Sequence, residues 1–206
     1  MKEGMAKENT TLLVLIGPMG AGKTTIGKLL AQQLSYQFFD SDAVIEQMTG
    51  ARISWIFEKE GEAGFRERET KAIAELTQHT YSILATGGGA VVSPLNRAYL
   101  SRGIVIYLQA SVEVQYERTY RDRQRPLLQT TNPKQRLQEL FDSRHELYLA
   151  TADIVVTTGY RSPKKMVEDI LVALQDIGVT LPLNPVSQGN VAIHSVEVIA
   201  HTNKYP

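Results

Sequence analysis

The stretch Gly17-Pro-Met-Gly-Ala-Gly-Lys-Thr24 constrains this chain more than any other, because it fits G-x-x-x-x-G-K-[ST] between an apolar run and a helical pattern. The run is Leu12 to Ile16, and Ile26, Leu29, Leu30 and Leu34 follow at the spacing of a helix that begins at Lys23. Glycines at 17, 20 and 22 let the backbone adopt conformations closed to residues with a Cβ. Successive N–H groups then face inward at a helix N-terminus and cradle phosphate oxygens. Lys23 reaches the outer phosphates as a point charge, and the Thr24 hydroxyl is placed to ligate Mg²⁺. The bland alternative is a glycine-rich turn with no ligand; the strand-to-helix setting argues against it.

A strand feeding such a loop belongs in a parallel sheet covered by helices on both faces. Apolar runs bounded by turn residues place strands at Thr11 to Ile16, Tyr36 to Phe39, Ser82 to Ala85, Ile104 to Gln109 and Asp153 to Thr157. Ile104 to Leu108, reading IVIYL, has no polar face and is expected in the centre of the sheet. Asn132 with Pro133, and Ser162 with Pro163, read as N-cap and first helical residue, and Gly178 closes the last helix.

A chain of 206 residues is expected to hold one domain. It divides into a flexible arm at 1–10, a body at 11–178 and a tail at 179–206 whose only charged residues are Glu197 and Lys204. Within that tail, Val191 to Ala200 fits either a strand at the edge or a loose terminus. Lys plus Arg and Asp plus Glu both number 22, so no global field favours nucleic acid or an anionic membrane. The absence of cysteine excludes a disulfide scaffold, a thiolate nucleophile and a cysteine-ligated metal. The apolar run at Leu12 to Ile16 is far too short for a signal peptide or a membrane span, which leaves a cytoplasmic protein as the expectation. The histidines at 79, 145, 194 and 201 lack the spacing of a metal site.

Asp40-Ser41-Asp42 ends the second strand candidate, at the sheet edge where open α/β folds bind ligands. One carboxylate suits Mg²⁺ or its water shell, and the other suits an attacking hydroxyl. Asp42 also fits the N-cap of a helix over Ala43 to Met48. Arg66 offers a planar fork for a carboxylate, yet Glu62, Glu67, Arg68 and Glu69 surround it, the setting of an ordinary surface arginine. Glu69 suits either of two tasks, fixing Arg66 or accepting from a ligand hydroxyl. Gly87-Gly88-Gly89 leaves a strand and exposes backbone to close approach. Arg118, Arg121, Arg123 and Arg125 precede Pro126 and a polar segment, and a mobile lid that excludes water explains them better than a nucleic-acid patch. Trp55, Ile56 and Phe57, behind a Ser54 cap, are expected to form a small apolar face of the acceptor-binding helices, with a place in the pocket wall left open for Trp55.

Asp40-Ser41-Asp42, Gly64-Phe65-Arg66-x-x-Glu69, Gly87-Gly88-Gly89, Arg125-Pro126-Leu127-Leu128 and Arg144-x-x-Leu147-Tyr148 stand in that order behind the phosphate loop. Each is weak alone; the ordered set resembles the shikimate kinase family from about Leu12 to Leu174. The resemblance implies a three-layer P-loop kinase fold: a five-stranded parallel sheet flanked by helices, an acceptor-binding segment at about 42–76 and a lid at about 120–132. It implies transfer of the ATP γ-phosphoryl to the 3-hydroxyl of shikimate, a step of aromatic amino-acid biosynthesis, with Mg²⁺. By the same resemblance Gly20, Ala21, Gly22, Lys23, Thr24 and Thr25 hold the phosphates, with Arg118 near the adenine and Arg125 on ATP. Thr24 and Asp40 serve the metal, and Asp42, Lys23 and Arg125 the chemistry. Asp42, Arg66, Arg144 and the triplet Gly87, Gly88 and Gly89 hold shikimate. A monomer is expected. The rival readings are a kinase of another polyol or sugar acid and a nucleotide switch, although no Asn-Lys-x-Asp guanine signature occurs.

Overall fold

The computed structural model describes residues 11–120, 126–182 and 184. Arg121, Arg123, Arg125, the arm at 1–10 and the stretch 191–200 lie outside the described residues.

Five strands form one sheet: β1 (Leu12–Ile16), β2 (Gln37–Asp40), β3 (Ser82–Ala85), β4 (Ile104–Ala110) and β5 (Ile154–Thr158). Their spatial order is β2-β3-β1-β4-β5 and every pairing is parallel, with Leu13 in register with Ile83 on one side and Ile104 on the other. The expected strands are all present, shifted by a residue at most ends. IVIYL is fully buried as expected, but the middle of the sheet belongs to β1, the strand that feeds the phosphate loop. β5, at the edge, alternates buried and exposed residues.

Side-chain alternation along the strands divides the core. Leu13, Leu15, Ile83, Ile104 and Ile106 pack with Ile26 and Leu30 of α1 (Lys23–Leu34) and Ile170 and Leu174 of α7 (Pro163–Asp176). Leu12, Val14, Ile16, Val105 and Tyr107 pack on the opposite face with Ile73 of α3 (Ile53–Leu76), Leu100 of α4 (Pro94–Leu100) and Tyr148 of α6 (Pro133–Thr151). Each fully buried aliphatic contributes about 1.5–3 kcal/mol. A separate cluster of Ile45, Ile56, Phe65 and Ala72 joins α2 (Ser41–Thr49) to α3.

Asn132 and Ser162 cap α6 and α7 as their sequence predicts, accepting from Gln135 N and Lys165 N. Two other caps differ from expectation. Asp40, not Asp42, caps α2, because the helix opens two residues earlier, at Ser41, and Asp40 accepts the Asp42 N–H. Ser54 lies inside α3; the Ile53 N–H is met instead by Glu46 Oε1 of α2 at 2.9 Å. α3 also breaks at Gly61, whose φ of +72° suits glycine, and so presents two arms to the cleft. The chain stays packed beyond Gly178: Val179 is buried, Leu181 lies on the same cluster, and Tyr36 donates to the Pro182 carbonyl at 2.7 Å.

Candidate active site

The loop between β1 and α1 takes its shape from Gly17, Gly20 and Gly22, with φ of +140°, +75° and +93°, as the sequence requires. A Cβ on Gly17 would lie 2.5 Å from the Leu108 carbonyl oxygen, so the loop is also pressed against β4. Lys23 turns its ammonium back over the loop, donating to Gly17 O at 2.7 Å and Pro18 O at 2.8 Å. Thr24 donates to Asp40 Oδ2 at 2.7 Å, and Asp40 Oδ1 accepts the Asp42 N–H at 3.1 Å. Phosphate loop, end of β2 and start of α2 are thereby joined through one carboxylate.

The exit of β3 forms the floor of the site. Gly87 N–H donates to Ser41 Oγ at 3.0 Å. A Cβ on Gly87 would stand 2.7 Å from Asp42 Oδ1 and 3.0 Å from Glu69 Oε1, and one on Gly89 would collide with the Arg66 guanidinium. Three functional side chains therefore close directly over glycine backbone. Arg66 donates to buried Glu69 Oε2 at 2.8 Å and to exposed Glu62 Oε1 at 2.8 Å. Glu69 is fully buried and its other oxygen, Oε1, has no protein donor. Burial raises the Glu69 carboxyl above its usual range, with the charges of Arg66 and Arg144 opposing the shift. Burial also works to lower Arg66, but the neighbouring carboxylates outweigh it and hold the guanidinium up. Arg144, from α6, is 8% exposed and donates to Gly88 O at 3.3 Å; burial lowers it.

These groups line one cavity of about 700 Å³. On one side stand Gly20, Gly22, Lys23, Thr24 and Thr25; on the other stand Asp42, Arg66, Glu69 and Arg144, with Asp40 and the glycine triplet between them. The phosphate loop faces a pocket lined by two arginines and two carboxylates. The chain matches the family model "Shikimate kinase" over residues 19–175. It is 56% identical to a shikimate kinase of Psychrobacter cryohalolentis, covering 84% of this chain and 94% of the relative. It is 53% identical to that of Methylococcus capsulatus, covering 84% and 97%. A solved shikimate kinase of Acinetobacter baumannii in complex with shikimate superposes with a TM-score of 0.81 at 48% identity, over 84% of this chain and 97% of that one.

The chain belongs to the shikimate kinase family. Among the family positions anticipated from sequence, Ala21 is a buried member of the phosphate loop whose side chain does not line the cavity. Arg118 lies outside the cavity, bridging Gly20 O at 2.9 Å and Gly159 O on the far side of the loop. Arg125 lies outside the described residues; of the segment expected to form a lid, Leu127 and Gln129 reach the cavity.

Sequence reasoning missed Glu46, Arg52 and Phe57 as cavity walls of this shikimate kinase family member. They come from the α2–α3 hairpin, and no local pattern marks them; the 4.9 Å pairing of Phe57 with Phe65 depends on how the two arms of α3 fold back. Trp55 departs from the expected apolar face: it is 49% exposed and borders a neighbouring groove, while Ile56 and Phe57 turn inward.

Proposed function

We propose that this chain transfers the γ-phosphoryl group of ATP to the 3-hydroxyl of shikimate, giving shikimate 3-phosphate and ADP. The observation that carries the reading is the single cavity in which a phosphate loop faces Arg66, Arg144 and Asp42 across a glycine floor. Shikimate has one carboxylate and three ring hydroxyls. Two arginine forks, Arg144 buried and Arg66 half-buried, suit the carboxylate. Glu69 Oε1, a buried acceptor without a protein donor, suits a ring hydroxyl.

Asp42 accepts the hydrogen bond of the attacking hydroxyl and orients its oxygen toward the γ-phosphorus. The new P–O bond forms as the bond to the bridging oxygen of ADP breaks; ADP leaves with that electron pair, and the hydroxyl proton passes to Asp42 or onward to solvent. Transfer of this kind has a loose transition state, so positioning and charge stabilisation do most of the work. Lys23 swings from its loop carbonyls to the outer phosphates, and Arg125, in the lid, joins it there. Arg118 is placed to meet the nucleotide on the outer side of the loop. Thr24 and Asp40 offer a hydroxyl and a carboxylate 2.7 Å apart, hard oxygens that fit Mg²⁺ held largely through phosphate and water. Mg²⁺ held there would neutralise charge on the phosphate oxygens. A monomer is the proposed working unit. No helix among the described residues is long and apolar enough to cross a membrane, and we assign the protein to the cytoplasm.

Coupled ADP release with Mg·ATP, with shikimate and with a panel of sugar acids and polyols, tests the reading. Stimulation by shikimate alone, with a phosphorylated product by mass, is expected. Release indifferent to every acceptor would leave a nucleotide switch.

A further inference from the structure

Gly88 presents its carbonyl oxygen to two donors from α6, Arg144 Nη1 at 3.3 Å and the Tyr148 hydroxyl in a shorter bond. Tyr148 is 1% exposed, and its ring lies stacked on Tyr107 of β4 at 4.9 Å between centroids, with 22° between planes. Tyr107 in turn pairs its hydroxyl with His145 Nδ1 at 3.1 Å. The ring of Tyr148 is thus fixed by packing, and its one hydroxyl hydrogen is committed to Gly88. Burial pushes the Tyr148 hydroxyl far above the usual phenol range, so it stays a donor at any working pH.

A carbonyl oxygen has two lone pairs, and this one uses both inside the protein. We propose that Tyr148 is a positioning residue for the acceptor: by holding the Gly88 carbonyl it fixes the floor peptide and leaves the Arg144 guanidinium turned to the acceptor's carboxylate. Without the hydroxyl, the half-buried carbonyl has Arg144 as its one remaining donor from α6, and the guanidinium is drawn onto it at the expense of the ligand. The inference rests on the proposed function, in which Arg144 meets the acceptor's carboxylate.

Tyr148→Phe keeps the ring and its stack while removing the hydroxyl. The expected result is a rise of about fivefold in KM for shikimate, with KM for ATP within about twofold of the parent. In an Arg144→Lys background the same change should add little, because the group being positioned is already gone. An unchanged KM for shikimate, equal rises in both KM values, or full additivity with Arg144→Lys would each overturn the proposal. Should the phenylalanine variant not fold, 3-fluorotyrosine at position 148 retains the packing and strengthens the donor; KM for shikimate should then fall, and no change would overturn the proposal. Absence of shikimate turnover in the parent would instead refute the function itself.

Discussion

Thr24 donates its hydroxyl hydrogen to Asp40 across 2.7 Å, so the first turn of α1 and the last residue of β2 share one bond. Asp40 also accepts from the Asp42 backbone, which makes it the joint between the phosphate and acceptor sides. Asp40→Asn is expected to shift the Mg²⁺ titration of activity upward by about 10–100-fold. An unchanged Mg²⁺ dependence would remove Asp40 from the metal.

Asp42→Asn keeps the backbone N–H that Asp40 accepts, so the α2 cap survives while the acceptor loses its carboxylate. Turnover is expected to fall by about 10²–10⁴, with ATP still bound by equilibrium titration. Full activity in this variant would take Asp42 out of the chemistry.

Arg66→Lys replaces a fork that spans Glu69, Glu62 and the cavity by a single point charge. KM for shikimate should rise about tenfold while KM for ATP moves little, because charge-assisted hydrogen bonds contribute about 1.5–3 kcal/mol each. Steady-state kinetics at saturating ATP decides it; an unmoved shikimate KM would return Arg66 to a surface role.

Glu69 has a folded-state pKa above its ordinary value of 4.5. Ionising it therefore costs stability, a cost absent below the ordinary value and fully present once pH has risen through the raised one. Glu69→Gln removes that titration. Thermal melts of parent and variant across this window should show the variant gaining relative to the parent as pH rises, while its shikimate kinetics worsen at every pH. A difference in melting temperature that is flat with pH would contradict the raised pKa.

How far these features could be read in advance depended on how local they are. The phosphate loop, the Asn132 and Ser162 caps and the five apolar strands carry their signals within a few residues, and each appears where the pattern places it. The α2 cap shifted because Asp40 and Asp42 are chemically alike and only the end of β2 decides between them. The cap of α3 was illegible because its acceptor, Glu46, sits on another helix. Arg66 carried two readings because its surroundings are mixed: it pairs with surface Glu62, while its other arm meets a fully buried Glu69 beside the glycine floor. Glu46, Arg52 and Phe57 reach the cavity through the packing of α2 against α3, a tertiary outcome that no short stretch of sequence records.

The glycine floor sets a one-way boundary on how this pocket can change. Any side chain added at position 87 or 89 displaces Asp42, Glu69 or Arg66, the groups the pocket exists to present, and no substitution there can make more room. Descent toward a bulkier acceptor must therefore run through the walls at Arg52 and Phe57, while the floor stays as it is or narrows.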